Sequence, residues 1–557
     1  MLRDCWGRSK IKSMNKFPIR TVLIPALALV ACACLEGIGA TYQNPFGNAQ
    51  PSSFLFVSPL GADTNPGTSA LPKLTIQAAV VSATAGTAIL VRTGTYRENV
   101  SINKSGTADK PIWLIAIDGF GSALIDPPNA VSTIQGYGVH YILIQGFHIV
   151  APRSGGTDDN GVKFAQAGND FSQPNSHIAI MDNIVDVPGN GESGIKISQA
   201  SYVRVVRNSI LNPVGVGIDL PACQDAVVAW NYCANASANS AFAIYVKGGS
   251  YNIAIHDNYV VGSKFGIFIG QSSAWQNMWL GNPAGPRAWE ARHCSAYNNI
   301  THDNASQGYS FMGSVKSHIV NSIAYRSGWM TVTAQSNMVN SMEDGTVVPA
   351  LFPAQDTVYR CAFDRTTWFW ADSGCSSAVS AIDIKGLRVL VGNSGNNTVS
   401  GGFAVVTSGA GHDTLVLSPG SGITEITDFL PGSDIVRLVG FDSVTLLNPL
   451  LLVTQVGPHC VLRLPDGNAL WFDSLQAGSL SAHDFDIRPA ISAAGAQQLP
   501  GKSSSKKLTV RYIGCDGLRD GGRFSRSGGS IFSIDGRKHS TTVIRKTADQ
   551  LRIFDDK

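Results

Sequence analysis

A short strand-like run that ends in asparagine recurs along the chain, and this repeat limits the possible folds more than any other feature. The runs read IAIMDN, VRVVRN, VVAWN, IAIHDN, CSAYNN and HIVN, and they end at Asn183, Asn208, Asn231, Asn258, Asn299 and Asn321. Successive spacings are 25, 23, 27, 41 and 22 residues. Asparagine tolerates a left-handed turn, and stacked asparagines can bond to one another. Such a period predicts a solenoid of stacked coils. The longest spacing predicts an insertion between residues 270 and 293.

Composition supports an all-β repeat protein. Among 557 residues, charged residues make up 15%, hydrophobic residues 44%, and 58 are glycine. A disordered chain or a coiled coil would carry far more charge. Low charge and abundant glycine favour many tight turns between short strands.

The net charge of +3 is unevenly distributed. From residue 501 onward there are thirteen Lys and Arg against six Asp and Glu, a net +7, which leaves −4 for the rest of the chain. The body has no continuous basic stripe, so we expect no nucleic-acid partner. No motif indicates a protein partner.

A second repeated column lies about half a coil after the asparagines. It reads GVKF (161–164), GIKI (194–197), GIDL (217–220), AIYV (243–246) and GIFI (266–269). Side chains alternate along a strand, so the aliphatic residues should point inward and the residue between them outward. The strip, as we call these outward residues, should stack on one outer face and consists of Lys163, Lys196, Asp219, Tyr245 and Phe268. Lys247 shares that face.

Residues 54–98 resemble the opening coils of right-handed parallel β-helix proteins of the pectate-lyase type. The shared letters include NPGT (65–68), TIQ (75–77) and GTY (94–96). The resemblance implies an all-β, right-handed parallel β-helix, which we expect over residues 41–375. The run from Ile76 to Ala83 should form a helix that caps the first coil and hides its strand edges.

The resemblance also implies a chemistry for the strip. Lyases of this kind break uronic-acid polymers by β-elimination, with calcium on acidic residues and Lys or Arg as the base. It assigns catalysis to Lys163, Lys196 and Lys247, while the residues themselves suggest Tyr245 as acid or base and Asp219 as a Ca²⁺ ligand. The alternative is structural, because outward positions on any β-helix are commonly polar.

Two segments beside the strip carry further candidates. Residues 154–160 could add Asp158 and Asp159 as calcium ligands, or could be a solvated turn. The insertion after residue 270 could bind an acidic polysaccharide, because tryptophan stacks on sugars and arginine pairs with carboxylates. These candidate binding residues are Trp275, Trp279, Arg287, Trp289 and Arg292. Its tryptophans could equally fill a small satellite core.

Three other functions remain open beside the lyase. A polygalacturonase-type hydrolase needs clustered carboxylates, and its signatures do not occur at matching strands. A uronate C5-epimerase begins with the same proton abstraction, but the Asp-Pro-His motif of such enzymes is absent. A non-catalytic glycan-binding or surface protein would use the same solenoid without a base.

The sequence pattern changes near residue 389. VGNSGNNTV (391–399) and SGAGHDTLV (408–416) resemble RTX nonapeptides, and residues 426–438 resemble the segment that follows such repeats. The resemblance implies a small calcium-binding β-roll or β-sandwich at residues 385–490, with Asp413 and Asn397 at the ligand positions. Residues 491–557 are expected to be a disordered basic tail.

The first 40 residues are typical of an export signal. Lys16 and Arg20 precede an uncharged apolar run at residues 21–35, which is short for a membrane span. Cleavage after Ala40 would give a secreted protein. A lipobox ending at Cys32 would instead give a lipid-anchored one, at the outer membrane or in the periplasm.

Overall fold

A computed structural model describes two compact units, residues 1–492 and residues 493–557. The described residues are 45–47, 49–129, 131–153, 159–166, 173–189, 191–234, 242–270, 289–328, 332–335, 338–341, 347–349, 356–364, 380–441, 448–488, 542–547 and 550–555. The predicted signal peptide, Cys32 and most of the tail lie outside them. No helix among the described residues is long and apolar enough to cross a membrane.

The main body is a parallel β-helix, in which each coil contributes strands to three rows. Two rows are continuous in one 24-stranded sheet, and the third forms a separate nine-stranded sheet in the described part of the chain. The core lies inside the coils, where aliphatic side chains from all three rows form one continuous cluster. The all-β solenoid predicted from the repeat is therefore present.

The strand bounds follow the repeat. The first row contains Ser53–Val57, Thr87–Val91, Ile112–Ala116, His140–Gln145, Asn175–Met181, Ala200–Ser201, Arg204–Val206, Cys223–Ala229, Ser250–His256, Ala291–Arg292, Ser295–Tyr297, Ser314–Val315, His318–Val320, Thr357–Phe363 and Ser380–Gly386. The second row contains Gly94–Tyr96, Ala123–Ile125, His148–Val150, Ile184–Asp186, Ser209–Leu211, Tyr232–Ala234, Tyr259–Val261, Ile300–His302 and Ile323–Tyr325. The third row contains Val100–Ile102, Ile134–Tyr137, Asn160–Ala165, Ser193–Ile197, Val216–Pro221, Phe242–Lys247, Phe265–Gly270, Gln307–Met312 and Val332–Gln335.

The repeated asparagines form a buried ladder between the first and second rows. In each rung the backbone N–H and the side-chain amide of one asparagine donate to the next side-chain oxygen, at 3.1 and 3.0 Å from Asn183 to Asn208. The same pair of bonds links the following rungs. The ladder runs through Asn183, Asn208, Asn231, Asn258 and Asn299, all fully buried. Each amide thus satisfies polar groups that would otherwise be stranded in the core.

Two details of the ladder differ from the sequence prediction. The residue with the left-handed backbone is the one before each ladder asparagine, such as Asp257 with a φ of 53°. Asn321 occupies this left-handed position, with a φ of 46°, so it is not a rung. The hydroxyl of Ser322 accepts from the Asn299 N–H in its place. A one-residue shift between neighbouring asparagines was not visible in the spacing alone.

A short helix closes the first coil, as predicted. It spans Ile76–Ser82 and buries Ile76, Ala79 and Val80. The carboxylate of Glu98 accepts from the Ile76 and Gln77 N–H groups, both at 2.8 Å. The helix therefore covers the apolar end of the solenoid with its own N-terminal donors satisfied.

Residues 388–441 and 448–488 form a second, smaller body that we call the roll. One sheet contains Arg388–Val391, Ala404–Thr407, Ile423–Ile426, Ala469–Phe472, His459–Arg463 and Val453–Val456, and the other contains Thr398–Ser400, Thr414–Leu417, Ile435–Val439 and Phe485–Arg488. The first strands alternate between the two sheets and pair in parallel. Three short 3-10 turns complete it, at Pro449–Leu452, Ala477–Ser479 and Ala482–Asp484.

Two hairpins stand outside these bodies. Met338–Ser341 pairs with Val347–Pro349, and in the second unit Thr542–Thr547 pairs with Gln550–Asp555. The last strand of the β-helix, Ser380–Gly386, lies beyond the expected limit at residue 375 and pairs in parallel with Thr357–Phe363.

Candidate functional site

The strip exists in the register that the sequence predicts. Lys163 pairs with Lys196, Lys196 with Asp219, Asp219 with Tyr245, and Tyr245 with Phe268. Each step is one coil, or about 4.8 Å along the solenoid axis. Gln135 precedes Lys163 in the same column. The third row therefore brings two ammonium groups and a carboxylate onto three successive coils.

The strip is less open than expected from its outward register. Lys163 and Lys196 are half-buried, whereas Asp219, Tyr245 and Phe268 are only 3%, 3% and 4% exposed. Phe242 stacks on Tyr245 with ring centroids 4.5 Å apart. Only the lysine end of the strip is open to solvent in this structure.

Lys196 has a partner that the sequence analysis missed. Its Nζ lies 2.5 Å from Oε1 of Glu192, and the two side chains are 20% and 29% exposed. The other carboxylate oxygen, Glu192 Oε2, is buried without a hydrogen-bond partner among the described residues. The i, i+4 spacing of Glu192 and Lys196 was the available signal, but it is a helix rule and gave no reason to pair residues that enter a strand.

Asp219 and Tyr245 form the enclosed part of the strip. Burial, together with the charges of Asp219 and Glu290, raises the pKa of Tyr245 well above its ordinary value. The phenol therefore stays protonated at neutral pH and is a weaker acid than an ordinary tyrosine, so neither the acid nor the base role suggested by the sequence suits it. Asp219 Oδ1 is buried without a partner within the described ranges. An orphaned carboxylate oxygen of this kind fits a bound cation.

The other lysines of this face contact aromatic rings. Lys163 Nζ lies 6.0 Å from the ring centroid of Tyr137, which is 42% exposed. Lys247 Nζ lies 4.2 Å from the ring centroid of Tyr245. Tyr137 thus adds an exposed aromatic surface beside the open lysine end, and a sugar ring could stack there.

The remaining predicted residues are only partly brought to this face. Asp158, Trp275, Trp279 and Arg287 lie outside the described residues. Asp159 is fully buried. Trp289 is 2% exposed and packs against Val315, and the Arg292 guanidinium lies 5.9 Å from the Trp289 ring. For Trp289, the satellite-core alternative matches the observed packing.

The two RTX-like turns stack on each other in the roll. Asn397 N donates to Asp413 Oδ1 at 2.7 Å, and the Asp413 N–H donates to Asp434 Oδ1 at 3.0 Å. A Cβ at Gly409 would lie 2.2 Å from the Asn393 carbonyl oxygen, so the close approach needs glycine.

The two predicted ligands of these turns are not equivalent. Asp413 Oδ2 is buried without a partner in the described structure, which fits a cation. The Asn397 amide bonds within its own turn, where Oδ1 accepts from the Asn393 N–H. No group of three acidic, His or Cys side chains in the described residues forms a ready metal cluster. Turn carbonyls would have to supply most ligands.

Comparison with known proteins places the repeat region in a recognised fold. Residues 132–283 match the family described as "Right handed beta helix region". "Uncharacterized protein YwoF" of Bacillus subtilis is 32% identical over 151 residues, which are 26% of this chain and 31% of that protein. "Pectate lyase PEL9" of Emericella nidulans is 47% identical over 74 residues, which are 13% of this chain and 18% of that protein. The chain thus spans less than a third of either relative.

Among solved structures, "The complex structure of XylC with xylose" shares 11% identity and covers 74% of this chain and 90% of its own, with a TM-score of 0.39. That score is too low to support an argument. The fold rests instead on the parallel register of the coils and on the family match. The chain is a right-handed parallel β-helix protein.

Proposed function

We propose that this protein is an exported polysaccharide lyase that cleaves an acidic, uronic-acid-containing polymer by β-elimination at the strip. The observation that carries the proposal is the placement of Lys163, Lys196 and Asp219 on three successive coils. The similarity to "Pectate lyase PEL9" supports it, although that match covers 18% of the relative.

The lysine end supplies the groups that elimination needs. Lys163 pairs with the C6 carboxylate of the sugar, which makes the C5 proton more acidic. Glu192 holds Nζ of Lys196 in place. The positive charge of Lys163 one coil away favours the free amine form of Lys196, and that amine removes the C5 proton. The electron pair of the C5–H bond forms the C4–C5 double bond as the C4–O bond breaks. The leaving oxygen takes a proton from water.

Asp219 is the position at which we place calcium. The Asp219 carboxylate would hold the ion, and a bound Ca²⁺ would supply positive charge that favours a carboxylate substrate. The orphaned Asp219 Oδ1 supports this assignment.

Ultraviolet absorbance of the unsaturated product tests the proposal. Purified full-length protein is incubated with alginate, polygalacturonate and an acidic exopolysaccharide, with calcium or with a chelator. Wild type should produce a calcium-dependent rise on one of them. Lys196→Ala should abolish it, because the base is gone. Lys110→Ala, at an exposed turn position, is the matched control and should behave like wild type.

The other candidate functions give different results in the same samples. An epimerase would exchange the C5 hydrogen with deuterium from solvent without any absorbance rise. A binding protein would retain the polymer and do neither. Either result would overturn the lyase proposal.

We further propose that the roll is an RTX-type calcium-binding segment and that residues 1–40 direct export. The stacked turns and the orphaned Asp413 Oδ2 support the first part. Fractionation of the producing cells and mass spectrometry of the mature N-terminus test the second. A lipid-modified Cys32 would identify a membrane-anchored form, and a start after residue 40 a secreted one.

A further inference from the structure

The roll packs against the side of the β-helix through a buried apolar interface that has a polar centre. Trp471 and Ile423 of the roll pack with Tyr259, Ile300 and Tyr325 of the β-helix. Among these apolar groups lies Glu425 of the strand Ile423–Ile426, with no exposed surface. Burying a charged carboxylate costs free energy unless it is fully paired, and a protonated carboxyl group avoids that cost.

Two tyrosines from the β-helix hold the carboxyl group of Glu425. Tyr259 Oη lies 2.7 Å from Oε1, and Tyr325 Oη lies 2.8 Å from Oε2. On its other side, Tyr259 Oη lies 2.9 Å from Nε2 of His302. His302 Nδ1 lies 2.6 Å from Asp303 Oδ2.

Counting protons along this chain of contacts leaves one to be placed. Asp303 is an acceptor, since Arg326 also donates to it, so His302 Nδ1 carries a hydrogen. Two contacts then remain, from His302 Nε2 to Tyr259 and from Tyr259 to Glu425, and each needs one hydrogen. Tyr259 supplies one of them. The other must sit either on Nε2, giving an imidazolium, or on Glu425, giving a carboxylic acid.

Burial favours the second arrangement. It lowers the pKa of His302, and it raises that of Glu425 well above its ordinary value, with the neighbouring Asp473 charge adding to the rise. In this arrangement Glu425 donates to Tyr259, Tyr259 donates to His302, and Tyr325 donates to Glu425. Each of these short contacts is then satisfied with no charge on the carboxyl group, and only the longer approaches of Tyr259 Oη to Asp473, at 3.3 and 3.4 Å, receive no hydrogen from Tyr259.

We propose that this single proton locks the roll onto the β-helix, and that the roll loosens when the proton is lost. The groups around Glu425 come from both bodies. The β-helix contributes Tyr259, His302 and Tyr325, backed by Asp303 and Arg326. The roll contributes Asp473 and His459, and the His459 ring stacks on the Tyr259 ring with centroids 4.0 Å apart. A carboxylate at position 425 would repel Asp473 and leave one contact of the chain without a hydrogen.

The direction of the pH effect follows from proton linkage. Glu425 in the undocked roll titrates near the ordinary value of 4.5, whereas in the docked state its pKa is raised. The contribution of Glu425 to docking is complete below its ordinary pKa and is lost as pH rises through its raised pKa. His302, whose pKa is lowered, acts in the opposite sense only below its ordinary value of 6.5. Above about pH 7, docking should weaken about tenfold per pH unit, because one proton is released.

Hydrogen exchange of the full-length protein, followed by mass spectrometry, tests the lock. Glu425→Gln is the decisive variant, since its amide can donate to Tyr259 and accept from Tyr325 at every pH. At each pH the wild-type exchange rate of the strand Ile423–Ile426 is divided by that of the variant, which cancels the intrinsic effect of pH. Above about pH 7 this ratio should rise by up to about tenfold per unit until the docked Glu425 loses its proton, and then level off. A constant ratio would overturn the proposal.

Two further measurements keep the test independent of how well that variant folds. Glu98→Gln changes a half-buried glutamate at the first coil, and its ratio to wild type in the same strand should not depend on pH. Infrared spectra of Asp356→Asn, which lacks the other buried acid that is partly protonated near pH 7, should show the carbonyl band of a protonated carboxylic acid at neutral pH, and the band should disappear as pH rises. Absence of that band at neutral pH would show that Glu425 is ionised and would refute the lock.

Discussion

The Nζ atom of Lys196 lies 2.5 Å from Oε1 of Glu192, at the open end of the strip. This pair connects a lysine that faces the expected substrate to a carboxylate that fixes the position of its Nζ atom. Neither residue alone would distinguish the strip from an ordinary polar face. Glu192 also favours the ammonium form of the lysine, so it influences the pH at which the free amine becomes available as a base.

The first prediction concerns this pair. Glu192→Gln should shift the rise of kcat with pH to lower pH and leave KM little changed, because a neutral amide no longer stabilises the ammonium form of Lys196. Product absorbance against pH measures both effects. A change in KM alone would assign Glu192 to substrate binding, contrary to the mechanism proposed.

The second prediction concerns calcium in the roll. Calcium should raise the unfolding midpoint of wild type by a few degrees over a chelated sample, since it binds the folded turns. Asp413→Asn should remove this response because it replaces the orphaned oxygen. Asp486→Asn, in a surface ion pair with Arg437, should keep the response. If Asp413→Asn responds as wild type does, the turns do not bind calcium through this residue.

The third prediction concerns the asparagine ladder. Asn231→Ala removes the acceptor of the Asn208 bonds and the donor to Asn258, and should cost about 2 kcal/mol or more in the free energy of unfolding. Gln224→Ala, on the outside of the same coil, should stay within about 0.5 kcal/mol. Urea titration measures both. Equal losses would mean that the ladder contributes no specific stability.

The fourth prediction concerns a buried acid of the β-helix. Burial raises the pKa of Asp356 to about 7, although Ser314 Oγ and the Ser317 N–H both donate to it. Its stabilising contribution is therefore complete below the ordinary value of 3.8 and is lost as pH rises through about 7. Asp356→Asn should flatten the fall in the free energy of unfolding between about pH 4 and about pH 7.

Urea midpoints across that range measure the effect of Asp356→Asn. Asp109→Asn, at a fully exposed turn, is the control and should leave the slope unchanged. An unaltered slope in Asp356→Asn would place the responsible proton on another group.

The sequence was sufficient for the parts of this molecule that repeat. The spacing of the asparagines and the alternation in the GVKF-like runs predicted the solenoid and the register of Lys163, Lys196 and Asp219 correctly. Both features follow from local chain geometry, because a parallel coil places equivalent residues one above another. The pattern placed Asn299 in the ladder correctly although Asn298 stands beside it, but it misplaced Asn321.

The sequence was insufficient wherever distant segments meet. Outward register predicted an open strip, yet Asp219 and Tyr245 are enclosed, because exposure depends on what packs over a strand. The pairing of Glu192 with Lys196 depends on a turn geometry that has no fixed spacing rule. The contact of Glu425 with Tyr259 joins residues 166 positions apart, and nothing in the sequence around either residue predicts it.

Because its strands pair in parallel register, the β-helix is built of equivalent periods that could be lost or duplicated. One period, such as the 23 residues from Asn208 to Asn231, carries one rung of the ladder and one residue of the strip. Loss or duplication of a period would leave every strand with a partner of the same kind. It would nevertheless bring different side chains together on the face, for example Lys196 directly beside Tyr245. New combinations of functional groups are therefore accessible by changing the number of coils, with no new fold required.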